Sequence, residues 1–159
     1  MCTPEITVAA VTEREGRFLL VEERIEGRLV LNQPAGHLER GESLLQAIVR
    51  EVQEEAAWRF SASALIGVYL WRHPRTGRPF KRFAFTGSVS DHRPAQPLDE
   101  GIVATCWLTP AQIRAREATL RSPLVLRCIE DFLSGARSAL ADVAQLDLDS
   151  AGAVAAVEV

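Results

Sequence analysis
Glu51, Glu54 and Glu55 crowd one short stretch of this chain, within the run GHLERGESLLQAIVREVQEEAAW from Gly36 to Trp58. Carboxylates this close repel one another, so the pattern asks for a counter-charge: protonation, arginine or a divalent cation. Three carboxylates with few neutral donors beside them suit a hard, oxygen-seeking ion, Mg2+ or Mn2+. Zinc is a poor match, because His37, His73 and His92 share no ligand spacing. The plain alternative is an acidic helix face bathed in solvent.

Helix geometry separates the two. With Ile48 at zero and about 100° per residue, Leu44, Leu45, Val49, Val52 and Ala56 span roughly −40° to +100°, the predicted buried face. Glu55 then falls near about −20° and Glu51 near about −60°, at or inside the edge of that stripe, with Glu54 farther out at about −120°. Arg50, Gln46 and Gln53 lie opposite, toward solvent. On an exposed helix, like charges at this spacing cost only about 0.2–0.5 kcal/mol. Beside a packed sheet, two unit charges about 5 Å apart repel by roughly 3 kcal/mol at an effective dielectric of about 20. Protonation, arginine or a bound cation must offset that cost, and the solvated-face reading does not fit the placement.

The elements that must position this helix are legible around it. Ile6–Glu13 and Arg17–Arg24 are β-rich runs joined by a hairpin at Arg14-Glu15-Gly16. Glu26-Gly27 turns into a third strand, RLVLNQP, ended by Pro34. Ala35 to Glu42 is predicted as a glycine-punctuated loop. Ser43 then caps the helix, with Gln46 in the capping-box position, and the helix runs from Leu44 to Ala56. Ser63–Arg72 and Phe80–Val89 are strands joined by HPRTGRP. Phe83, Phe85 and Val89 share one face of the second, and Arg82, Ala84 and Thr86 the other. Ser90–Gly101 is a long loop, of the kind that carries function or moves. IVATCWL is a last strand, Thr109 and Pro110 open a short helix, and SPLVLRCIEDFLSG forms an amphipathic helix ended by Gly135. We expect one mixed α/β (α+β) domain over residues 1–137. Residues 138–159 form an unassigned, loosely docked extension.

Composition narrows the function class. The chain has 159 residues, 47% hydrophobic, with a net charge of −3 and a single lysine, Lys81. This is the profile of an ordinary globular domain, and it argues against nucleic acid or an anionic membrane as partner. Cys2, Cys106 and Cys128 are odd in number and widely spaced, so inert thiols in a reducing cytoplasm are expected rather than disulfides. The N-terminus lacks a secretory pattern.

Gly36, five residues, Glu42, seven residues, then Arg50-Glu51-Val52-Gln53-Glu54-Glu55 resembles the signature of the Nudix hydrolases. NQPAGHLE, FKRF and LRSPLV look like the NudJ phosphatase branch of that family. With the box, the resemblance spans most of residues 5–135. It implies an α/β/α sandwich with a central mixed sheet and a loop–helix catalytic motif. It also implies a metal site of Glu51, Glu54, Glu55 and the main-chain carbonyl of Ala35, with Gly36, Glu42 and Arg50 supporting it. The cofactor implied is Mg2+, with Mn2+ as substitute. The substrate implied is a small phosphoanhydride: a nucleoside di- or triphosphate, or hydroxymethylpyrimidine pyrophosphate. Attack by water on such an anion needs neutralisation and alignment more than covalent help.

The proton acceptor is expected among Glu54, Glu55 and, on the long loop, Asp99 or Glu100. Arg24, Arg72 and Arg82, with Arg121 behind them, are candidates for gripping phosphate, and Trp71 or Phe80 for stacking on a ring, although core packing explains those rings as well. The chain is expected to act as a monomer or homodimer. Two departures stand out: Ala57 replaces the family's second glycine and Trp58 the closing aliphatic residue. If position 57 is left-handed, alanine there costs on the order of 1 kcal/mol. The rival reading is a Nudix-shaped binding or sensing module without turnover; such modules usually lose box carboxylates, and here all are present.

Overall fold
Two Glu-Gly pairs set the first hairpins. Glu15 and Gly16 have φ of 52° and 74°, and Glu26 and Gly27 have φ of 48° and 78°, the left-handed pair that a two-residue hairpin turn requires. In the computed structural model, which describes residues 3–143, they connect β2 (Glu13–Arg14) to β3 (Arg17–Ile25), and β3 to β4 (Arg28–Asn32). β1 (Glu5–Val11) precedes them. The predicted loop at Ala35 opens instead as a strand, β5 (Ala35–His37), pairing antiparallel with β1. Three residues are too few for a recognisable alternation, so the sequence concealed it.

Helix α1 occupies Leu44–Ala56, with the Ser43–Gln46 capping box formed in both directions. Next come β6 (Arg59–Arg72), four residues longer at its start than predicted, β7 (Pro79–Ser90) and β8 (Ile102–Leu108). The chain closes with α2 (Pro110–Arg114), capped by Thr109, and α3 (Leu124–Leu133). One sheet has the order β5-β1-β7-β6 and is mixed, because β1 and β7 run parallel. In the other, β3 pairs antiparallel with β2, β4 and β8. Helix α1 covers one face of the mixed sheet, packing Ile48 and Val52 against Val8, Ala10 and Phe85. Helix α3 covers the other with Val125, Cys128 and Ile129 against Ile66 and Ala84. This is the expected α+β sandwich, and it explains why both faces of β7 are buried.

The buried arc of α1 differs from the apolar stripe. Leu45 and Val49 are 37% and 40% exposed, whereas Ala47 and Glu51 are buried. The arc is therefore centred close to Glu55. An apolar-only wheel places it about 40° away because it gives the carboxylates no weight. Glu51 and Glu55 are thus within the helix–sheet contact, with Glu54 outside it.

Past 137 the chain remains attached: Ser138 exchanges two backbone hydrogen bonds with Leu65, of 2.8 and 3.0 Å. Leu140 and Val143 pack on the α1-side core. The rest of the tail, and Cys2, lie outside the described residues. Among the described residues, no helix is long and apolar enough to cross a membrane.

Ala57 ends α1 at φ 55°, ψ 30°, the left-handed geometry that only glycine adopts without strain. Ala57→Gly is expected to raise stability by about 0.5–1 kcal/mol, since relief of the left-handed strain exceeds the added unfolded-state entropy and the lost methyl burial. Urea denaturation of the two proteins checks it; an unchanged or lower midpoint contradicts it.

Candidate active site
β5 brings the backbone of Ala35 and Gly36 against α1, and Gly36 is what lets the helix approach. A Cβ at Gly36 would lie 2.1 Å from Glu51 Oε1 and 2.4 Å from Oε2, so the Glu51 carboxylate occupies the space a side chain would take. One turn on, Glu55 Oε2 accepts a hydrogen bond from the Ala35 N–H at 2.9 Å.

Arg50 ties these parts together. Its Nε and Nη2 donate to the two oxygens of Glu42 at 2.6 and 3.0 Å, a two-pronged grip. Nη1 donates to Glu51 Oε1 at 2.8 Å and Glu54 Oε2 at 3.0 Å. Nη2 also reaches the His37 carbonyl at 3.0 Å. Arg50 was expected toward solvent; its guanidinium instead folds back over the acidic cluster. Glu42, held by Arg50 and by the Glu39 N–H, sits below the usual carboxylate range.

Burial acts in the opposite direction on the inner carboxylates. It raises Glu51, with the Arg50 hydrogen bond opposing. Glu55 is pushed up to about 8, first by burial and then by the charges of Glu51, Glu23 and Asp99, with the Ala35 N–H opposing. A folded pKa above the ordinary 4.5 means the native state binds this proton more tightly than the unfolded chain. With chelator present, the Glu55 contribution is therefore most favourable below pH 4.5 and is lost as pH rises toward 8. Stability is expected to fall by up to about 1.4 kcal/mol per pH unit across that window. Urea titrations from pH 5.5 to 8.5 check it: Glu55→Gln must flatten the slope, and an equal slope in both proteins contradicts the assignment.

These groups face a cleft of about 440 Å³, which Glu23, Asn32, Trp71, Phe80 and Arg82 also line. The long loop closes one side. Gln96 and Gln53 bond each other, Arg93 N–H reaches the Ala57 carbonyl, and Asp99 N–H reaches the Glu54 carbonyl at 3.0 Å. Trp71 and Phe80 have centroids 5.8 Å apart and face the cleft rather than either core cluster, because α1 and α3 leave this end of the sheet uncovered.

Of the residues singled out in the sequence, Ala35, Gly36, Arg50, Glu51, Glu54, Glu55, Phe80 and Arg82 line this one cleft, with Asp99 and Arg121. Glu42 stands behind them as the clamp on Arg50. Arg24, Arg72 and Glu100 do not line it. Arg24 is exposed, and its N–H is bonded to the Gly101 carbonyl. Arg72 is exposed and bonds Gly77 inside its own hairpin; strand alternation gives the cleft its neighbours Trp71 and His73 instead. Glu100 is exposed one residue beyond Asp99. Glu23 was missed, though the alternation Leu19, Val21, Glu23 in β3 places it on the face toward α1. Asn32 and Ser122 were not singled out either, although they lie in the NQPAGHLE and LRSPLV segments that carry the resemblance.

The donor set suits a hard divalent cation: carboxylates held against the sheet, main-chain groups, no thiolate, and a glycine of β5 leaving room for Glu51. Among the described residues, no three acidic, imidazole or thiol side chains are placed to close on one ion as they stand. Arg50 Nη1 instead bridges Glu51 and Glu54, and Glu54, with 39% of its side chain exposed, has the freedom to turn inward.

The profile of the NUDIX domain matches residues 3–128. The phosphatase NudJ of Escherichia coli K12 is 40% identical over 137 residues, covering 86% of this chain and 88% of that protein. The Shigella boydii phosphatase NudJ matches equally. A solved NUDIX hydrolase from Nitrosomonas europaea is 45% identical with a TM-score of 0.88, covering 90% of this chain and 97% of that one.

Proposed function
The chain belongs to the Nudix family as a hydrolase of acid anhydrides, and from that premise we propose that it is a Mg2+-dependent enzyme. Its substrates in this reading are small nucleoside di- and triphosphates or related pyrophosphates, hydroxymethylpyrimidine pyrophosphate among them. One observation carries the metal-dependent reading: Glu51 is buried and Glu55 half-buried in the cleft beside Glu54, Glu23 and Asp99, an excess of negative charge that Arg50 only partly offsets.

Glu51, Glu54, Glu55 and the Ala35 carbonyl hold the ion in this reading. When bound, it neutralises phosphate oxygens and acidifies water. Arg82 in the floor and Arg121 at the rim add positive charge toward the substrate. Arg50 and Glu42 hold the helix against the loop, so the carboxylates keep their places as substrate enters. The proton of the attacking water goes, in this reading, to Glu54 or Glu55 beside the ion or to Asp99 on the loop, all three of which line the cleft. Of the two acidic loop residues, Asp99 takes the place of Glu100 because it alone lines the cleft.

Phosphate and pyrophosphate release from a nucleoside diphosphate, a nucleoside triphosphate and hydroxymethylpyrimidine pyrophosphate, with Mg2+, Mn2+ or EDTA, tests this. Release with Mg2+ that EDTA abolishes is expected. Undiminished release in EDTA sinks the metal role, and no release from any of them sinks the substrate class.

A further inference from the structure
The last turn of an α-helix leaves carbonyls with no partner inside the helix. In α1 the loop between β7 and β8 supplies donors to them. Gln96 Nε2 donates to the Gln53 carbonyl at 2.6 Å, and Asp99 N–H to the Glu54 carbonyl at 3.0 Å. Arg93 N–H reaches the carbonyl of the cap residue, Ala57, at 2.9 Å. Gln96 Oε1 in turn accepts from Gln53 Nε2 at 2.5 Å. Since Gln96 donates to a main-chain oxygen, the orientation of both amides is fixed.

Trp58 gives the same loop a second anchor. Its ring stacks on His92, with centroids 4.3 Å apart and planes within 19°. Arg14 of β2 lies 5.0 Å from that ring, and Trp107 of β8 meets it edge-on at 6.4 Å, so the platform is held from two other strands. The aliphatic residue that closes the family signature offers no flat face for His92 to stack on.

Asp99 is what these anchors place. Its side chain is exposed at the cleft and makes no hydrogen bond among the described residues. The charges of Glu51 and Glu55 face it and push it outward. Its position therefore comes from the main chain. That chain is tied to α1 on one side and, through the Gly101 carbonyl, to the Arg24 N–H at 2.8 Å on the other. Without the ties to α1, the repulsion meets little resistance.

We propose that Gln96 and Trp58 are positioning residues: they dock the loop on the end of α1 and thereby set Asp99 in the cleft. This rests on the hydrolytic reading of the cleft, with Asp99 acting on the attacking water. It adds how an exposed loop keeps that carboxylate beside like charges.

Amide hydrogen exchange on the full chain in EDTA tests the docking without turnover. In Gln96→Ala the Asp99 amide is expected to exchange about tenfold faster or more, with Ile48 and Val52 of α1 within about twofold of the parent protein. Trp58→Leu should move the same amide in the same direction. Phosphate release with Mg2+ tests what the docking is for. Gln96→Ala is expected to lower kcat by about 10–100-fold with KM within about threefold. In an Asp99→Asn background the same change should alter kcat by less than about threefold. An unchanged Asp99 amide in either variant, exchange that speeds equally at Ile48, an unchanged kcat, or a full loss persisting beside Asp99→Asn overturns the proposal. A parent protein that releases no phosphate removes the hydrolytic reading instead, and the exchange result alone then decides whether Gln96 and Trp58 set Asp99 in place.

Discussion
Glu55→Gln is expected to reduce Mg2+-dependent phosphate release by on the order of a thousandfold while making the protein more stable. The activity loss follows from the proposed role of Glu55 as an oxygen ligand of the ion, at a point of charge development where single groups are typically worth about 10²–10³ in rate. The stability gain has the opposite origin. Glu55 is desolvated and faces Glu51, Glu23 and Asp99, which places its pKa near 8. In EDTA at pH 8 the ionised side chain costs folding on the order of 3 kcal/mol, and a neutral amide escapes that cost. The Ala35 N–H, now bonded to Glu55 Oε2, still finds an amide oxygen. Dead but more stable is a signature that misfolding does not produce. Phosphate release and urea denaturation on one preparation check both halves. Retained turnover removes Glu55 from the site, and a destabilised variant contradicts the electrostatic account.

Gly36→Ala carries the second large effect, and through sterics alone. The new methyl would overlap the Glu51 carboxyl carbon at 2.2 Å and both its oxygens. Glu51 cannot simply step aside, because it is buried and held by Arg50. Moving it breaks that hydrogen bond or pushes β5 away from α1, at about 1–3 kcal/mol. Displacing one ligand and its support should weaken Mn2+ binding by about 10–100-fold, as read by calorimetry. Unchanged Mn2+ affinity in a folded Gly36→Ala protein would show that Glu51 does not hold the ion.

The two variants separate what repulsion and what shape contribute. Glu55 costs stability for its charge, whereas Gly36 matters only for the room it leaves. Arg50 links them, since it partly neutralises Glu51 and clamps Glu42, yet it reaches Glu55 through no hydrogen bond of its own. Glu55 is therefore the carboxylate left with the largest need for a cation.

Much of this was legible because the signals are local. The capping box of Ser43 and Gln46, the Glu-Gly hairpins, the Thr109-Pro110 helix start and the spacing from Gly36 to Glu55 are all decided within a few residues of themselves. The left-handed geometry of Ala57 was legible only as a condition, because alanine, unlike the glycine it replaces, does not itself call for that conformation. β5 was hidden because three residues carry no periodicity, and its strand character comes only from pairing with β1.

The sequence by itself determined the helix, its acidic content, its caps and the family signature, since these depend on side-chain types at fixed short separations. Tertiary structure alone decided that Glu51 and Glu55 lie within the buried arc, that Asp99 rather than Glu100 lines the cleft, and that Arg24 and Arg72 stay outside it. It also gathered Asn32, Arg82 and Ser122, which are 40 to 90 residues apart along the chain, around one ligand-sized space. Burial and desolvation are properties of what packs against a group, and no spacing rule within a single segment contains them.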